Sequence, residues 1–341
     1  MLAQIEVLPR FRLFADPSPF HRLERLEQAL GGRTELWIKR EDLLPLAFGG
    51  NKLRNLEFLV GAALAAGADT LVTSGRRWSN HCRLTAAAGA RAGLAVHLVL
   101  SGPPAPGSDT GTDPNAGRSN PGRLLDELLG ATVRQLPTPD RDARDAAVRE
   151  IVDGLRRAGR RPYVIPVGGS GMPGAAGQVL AAAELLAQAS AAKAPPDVVV
   201  VPSATGGTQA GLLAGLRLGG STARVHGVLV ARTDPELRPA ILATLEALGP
   251  AAGMVFDAGE VELDGSQLGD GYGRPTPAAE AATGLLARTE GVFVDPIYTA
   301  KALAALVAAV EDGRWDGQRV VFWHAGGTPG LFEPLEGGPA Q

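Results

Sequence analysis

The chain has 341 residues, of which 45% are hydrophobic and 20% charged, so it carries enough apolar material for about two globular units of ~150 residues each. A net charge of -3 with no long basic run gives no electrostatic footprint for nucleic acid or an acidic membrane surface. The single cysteine, Cys82, excludes an internal disulfide and a cysteine-ligated zinc cluster and fits a reducing cytoplasm. Neither a signal peptide nor an apolar run of about 18 residues is evident, so no membrane partner is expected.

In chain order, a helix is predicted over 53–66, then a strand over 71–73, a helix over 80–92 and a strand over 96–100. The stretch 101–120 is rich in Gly, Pro, Ser and Asp and reads as a loop. Helices follow over 121–129 and 141–158, a strand over 163–165 and a helix over 175–189. The run Val198–Val201 is a strand buried on both faces, followed by a helix over 207–216 and a strand over 225–230. Helices over 235–248, 277–289 and 300–311, a strand over 320–323 and a frayed tail over the last ten residues complete the pattern. Strands alternating with helices predict an α/β protein with parallel sheets flanked by helices.

Three glycine-rich turns follow strands. In Val201-Pro202-Ser203-Ala204-Thr205-Gly206-Gly207-Thr208 the glycines allow close backbone approach, and free N–H groups at a helix start face an anion. Thr205 and Thr208 add hydroxyl donors. The spacing fails the G-x-G-x-x-G fingerprint, since counting from Gly206 or Gly207 meets Thr208 or Gln209 where glycine is needed. This disfavours a nicotinamide-dependent oxidoreductase and favours a small phosphate monoester. The other two turns are Val167–Gly171 and His324–Thr328, and such turns converge on one crevice at the carboxyl ends of strands.

Lys52 stands between a double glycine and a helical run, in Phe48-Gly49-Gly50-Asn51-Lys52. A lysine used as a covalent partner must be desolvated and rigidly placed. Further on, Ser79 opens the helix at Asn80 as a plausible N-cap, and Ser79, Asn80 and His81 project at its start. Cys82 beside His81 does not form a nucleophile pair, because adjacent helical positions do not face each other.

These motifs, with Gly269-Asp270-Gly271-Tyr272-Gly273 and Asp295-Pro296-Ile297-Tyr298-Thr299, occur in the order and spacing of a known family. The chain resembles the D-cysteine desulfhydrase / 1-aminocyclopropane-1-carboxylate deaminase family, which is dependent on pyridoxal 5'-phosphate (PLP), over nearly its whole length. The resemblance implies the two-domain, tryptophan-synthase-β-like fold type II. Residues 1–52 plus 166–341 would form the large domain and residues 53–165 a small inserted one. It implies that Lys52 carries the cofactor, Asn80 bonds its 3-hydroxyl, and Thr205, Gly206, Gly207 and Thr208 hold its phosphate. Thr299 is expected near the pyridine ring, and Ser79, Tyr298 and Tyr272 are expected to be catalytic. Trp78, Ser79, His81 and Gly171 would line the substrate pocket. The implied reaction is α,β-elimination from a small amino acid, releasing a keto acid and ammonia, in a cytoplasmic homodimer. β-Replacement, racemisation, cyclopropane opening and a non-catalytic ligand-binding relative are the alternatives.

Several positions depart from the family pattern. Thr299 stands where the cyclopropane deaminases carry a glutamate, and Trp78 where glutamine is usual. Arg76 and Arg77 replace small or apolar residues and are read either as exposed or as holding an extra carboxylate. Asn55 occupies the place of a phosphate-assisting lysine, Ala325 of a threonine near the ring nitrogen and Gly171 of an asparagine. The substrate side is therefore expected to differ from that of the family.

Overall fold

The computed structural model describes residues 2–102 and 121–335. Its first element is helix α1 (Leu2–Glu6), followed by β1 (Phe20–Arg22), α2 (Glu24–Ala29), β2 (Glu35–Arg40) and α3 (Lys52–Ala65). Next come β3 (Thr70–Arg76), α4 (Asn80–Ala92), β4 (Ala95–Ser101), α5 (Pro121–Leu128), β5 (Thr132–Leu136), α6 (Arg141–Arg157) and β6 (Pro162–Val164). The remainder is α7 (Gly174–Ala191), β7 (Val198–Ser203), α8 (Gly207–Leu218), β8 (Arg224–Leu229), α9 (Asp234–Ala252), β9 (Glu262–Asp264), α10 (Pro277–Glu290), α11 (Thr299–Glu311) and β10 (Arg319–His324).

The strands form two sheets. The larger runs β1-β2-β10-β7-β8-β9, parallel except for the edge pair β1–β2, and the smaller runs β5-β4-β3-β6, parallel throughout. Val198, Val199, Val200 and Val201 are fully buried, because helices cover both faces of the larger sheet. Val199, Val201 and Trp323 pack toward one helical layer, while Val198, Val200 and Phe322 pack toward the other. Each large apolar side chain so buried contributes about 2 kcal/mol.

Helix α3 lies between the two sheets' helical layers, and small residues set its approach. A methyl at Gly177 of α7 would stand 1.9 Å from the Arg54 carbonyl oxygen, and one at Gly61 would stand 2.4 Å from that of Pro9. Beneath α3 a buried network joins Arg54 to Glu41 and Glu184, with Lys39 also ion-paired to Glu184. Ser18 completes it by donating to Glu41 and, through its carbonyl, accepting from Lys39. Buried charges persist only when paired in this way.

All nine predicted helices are present to within a few residues, and all six predicted strands are found. Strands β1, β2, β5 and β9 and helices α1 and α2 were not anticipated. Strand β2 reads Glu-Leu-Trp-Ile-Lys-Arg, and its charges hide an interior strand because Lys39 is neutralised by the network. The predicted loop over 101–120 lies mostly outside the described residues. The frayed tail is corrected at its start: Glu333 is buried, pairs with Arg77 at 2.9 Å and accepts from the Gly122 N–H at 2.7 Å.

Candidate active site

The carboxyl ends of β3, β7 and β10 point into one cleft, as expected where ligands bind in open α/β sheets. Its cavity measures about 230 Å³. Lys52 is the first residue of α3, and its placement follows from Asn51. The Asn51 side chain donates to Thr208 Oγ1 at 2.8 Å, its backbone N–H donates to the Ala325 carbonyl at 2.9 Å, and its carbonyl accepts from Gln178 at 2.8 Å. The loop ahead is strained, with Ala47 and Phe48 at positive φ (45° and 64°). Arg83 of α4 braces it, donating to the Ala47 carbonyl at 3.0 Å and to Asn80 Oδ1 at 2.5 Å. The Lys52 Nζ lies 3.4 Å from Thr208 Oγ1. Burial alone pulls its pKa down to about 8, so a neutral, nucleophilic amine is accessible near physiological pH.

The turn after β7 wraps the other side of the lysine. Gly206 is left-handed at φ 84°, and a methyl there would meet Ile241 at 2.5 Å, so only glycine fits. Thr205 accepts from Ser170 Oγ at 2.5 Å, and Thr205, Gly206 and Thr208 line the cavity where α8 begins. The orphan N–H groups and the dipole of α8 make this end a seat for an anion.

Ser79 caps α4, accepting from the Cys82 N–H at 3.2 Å, and lines the cavity with Asn80 and His81. His81 bonds Thr73 Oγ1 at 3.0 Å, and burial foremost, helped by nearby Lys52, lowers its pKa to about 3, so it stays neutral. The hydroxyls of Tyr272 and Tyr298 hydrogen-bond each other. Burial raises both phenols' pKa values, so both are protonated at neutral pH. Cys82 is buried and its thiol is pushed up to about 12, which removes it as a nucleophile.

Comparison with known proteins gives the family. The pattern of a family described as "Pyridoxal-phosphate dependent enzyme" matches residues 12–326. The chain belongs to that family. It is 40% identical to a D-cysteine desulfhydrase of Yersinia pestis and 39% identical to one of Salmonella typhi, each over 95% of both chains. The crystal structure of an ACC deaminase homologue superposes with a TM-score of 0.86 at 32% identity, covering 97% of this chain and 95% of that one. The processed form of threonine deaminase isoform 2 from Solanum lycopersicum shares the fold, at TM-score 0.64 and 18% identity over 96% of this chain and 83% of that one. The architecture is fold type II of the PLP enzymes.

The residues fit PLP. A desolvated amine and an anion seat open into one cavity, and no aspartate or glutamate among the described residues lines it to compete for either. Of the predicted site residues, Lys52, Ser79, Asn80, His81, Thr205, Gly206, Thr208, Tyr272 and Tyr298 line the cavity. Gly207 starts α8 against Ser170 instead. Thr299 is fully buried, and its hydroxyl is spent on Asp295 Oδ2 at 2.6 Å, so it is not part of the cavity wall. Trp78 stands behind the wall, holding Tyr272 edge-on at 5.8 Å between ring centroids. Gly171 accepts from the Ala175 N–H at 2.9 Å and lies off the cavity. Arg76 and Arg77 part company: Arg76 lines the cavity, whereas Arg77 is buried against Glu333, neither exposed nor on the substrate side. Asn55 donates to the Gly169 carbonyl at 3.0 Å, which fixes the turn rather than a phosphate. Sequence reasoning missed Asn51, Arg83 and the cavity-lining Arg141, Arg144 and Arg232. Asn51 sat inside a recognised motif, but the arginines belong to no motif and come from separate segments of the chain.

Proposed function

We propose that the chain catalyses PLP-dependent α,β-elimination from small amino acids, releasing a keto acid and ammonia, as its D-cysteine desulfhydrase relatives suggest. The observation that carries this reading is the Lys52 amine, desolvated and set 3.4 Å from Thr208 at the anion seat. Lys52 and the 205–208 turn would hold PLP, which would supply an electron sink for chemistry at the substrate's α-carbon. The Lys52 amine, desolvated in the cavity, would hold or move the proton at the substrate's α-carbon. Ser79 already accepts at its oxygen, so its O–H is left to donate to the substrate carboxylate, alongside the N-terminal N–H groups of α4. The Tyr272–Tyr298 pair, protonated at neutral pH, delivers a proton to the departing group. Asn80, held by Arg83, would bond the cofactor's 3-hydroxyl.

The resemblance extends this reading to a homodimer in the cytoplasm. A division into residues 1–52 plus 166–341 and residues 53–165 is supported by the two sheets. The test is direct. Purified protein loaded with PLP should show the absorbance band of the lysine-linked cofactor and release keto acid from a D- or L-amino acid screened with 1-aminocyclopropane-1-carboxylate alongside. Lys52→Ala should lack both. A chain that loads no cofactor would sink the reading, and product analysis with added nucleophile separates elimination from replacement.

A further inference from the structure

Four arginines, Arg76, Arg141, Arg144 and Arg232, line the cavity together with Lys52, and no acidic side chain among the described residues does. They form one electrostatic group although they come from three segments. Burial foremost holds Arg76 below the usual arginine range, with Arg144 and Arg141 adding to the shift and Tyr272 and Tyr298 opposing it. Arg232 is lowered by burial, then by Arg141 and Arg144, against Glu236. The Glu236 carboxylate is already committed to the Thr233 N–H at 2.8 Å and the Thr233 hydroxyl at 2.7 Å. Arg144 is only 7% exposed; among the described residues its Nε has no hydrogen-bond partner, and its Nη1 reaches Ser101 Oγ at 3.4 Å. Arg76 lies with its guanidinium 5.9 Å from the centre of the Tyr272 ring, beside the proposed proton donor.

Like charges crowded in a partly dry cleft are costly without a counter-anion. The cofactor phosphate has its own seat of backbone N–H groups and hydroxyls at residues 205–208. One substrate carboxylate, placed at the start of α4, does not occupy four guanidinium groups. Resting on the function proposed above, we infer that the preferred substrate is an amino acid whose side chain carries a second anion, a sulfonate, phosphate or carboxylate, held by the cluster around Arg76 and Arg144. A site built this way discriminates strongly against neutral analogues, which leave its buried donors unpaired.

The experiment uses PLP-loaded protein and reads ligand binding from the perturbation of the cofactor absorbance band. Cysteate, O-phosphoserine and aspartate are compared with cysteine, serine and alanine. At least one anionic probe should bind about tenfold or more tighter than its neutral counterpart, as one or two charge-assisted hydrogen bonds give. Inorganic sulfate should compete. The Arg76→Met/Arg232→Met double variant should keep the cofactor band and lose the preference. Arg141→Met, at an exposed position, should reduce it and serves if the double variant does not fold. Equal affinity for neutral and anionic probes, with the cofactor band intact, overturns this inference alone. So does a variant whose loss is in PLP affinity, which assigns the arginines to the cofactor phosphate. Absence of the band in the unaltered protein overturns both this inference and the function beneath it.

Discussion

Desolvation at Lys52 has a measurable consequence. With its pKa near 8, the neutral amine grows about tenfold for each pH unit below that value and then levels. The rate of PLP attachment to the cofactor-free protein should therefore climb between about pH 6 and 8 and flatten above, as followed by absorbance. A rate indifferent to pH would place the amine in water instead. Asn51 acts on the same step by position. Asn51→Ala removes the bond its side chain makes to Thr208, leaving Lys52 on a looser helix start. PLP affinity should fall about tenfold, the cost of one or two hydrogen bonds, with little change in fold by circular dichroism.

Elements show where side-chain volume is forbidden. Helices α3 and α7 touch through Gly177, so Gly177→Ala should cost about 2 kcal/mol or more by forcing the backbones apart, lowering the thermal midpoint by several degrees. At this scale much was legible in the sequence. Helical periods placed nine helices, and glycine turns after apolar strands marked the cleft, because both signals are local. Strand β2 was hidden because Lys39 is neutralised only once Glu184, 145 residues away, reaches it. The motif residues Lys52, Ser79 and Tyr298 were legible, but the direction of Thr299 was not, because its hydroxyl is claimed by Asp295 within the same turn. The arginine group was invisible for the opposite reason, since segments distant along the chain meet only in the folded cleft.

For the whole molecule, the end of the described chain folds back onto the smaller sheet. Arg77 and Glu333 lie 256 residues apart and are almost completely buried. Glu333→Ala should destabilise the protein by about 3 kcal/mol, the lower end for breaking a buried pair, because the Pro334 carbonyl still accepts from Arg77. Chemical denaturation would measure this, and an effect near zero would show that the pairing is loose in solution. No helix among the described residues is long and apolar enough to cross a membrane.

The glycine contacts at positions 61 and 177 pin the lysine-bearing helix from both sides, making it the fixed frame of the catalytic machine. Positions 76 and 141 are carried by other elements and are not fully buried, so they can be randomised without touching that frame. A library built there should yield new selectivities on an unchanged lysine-bearing frame.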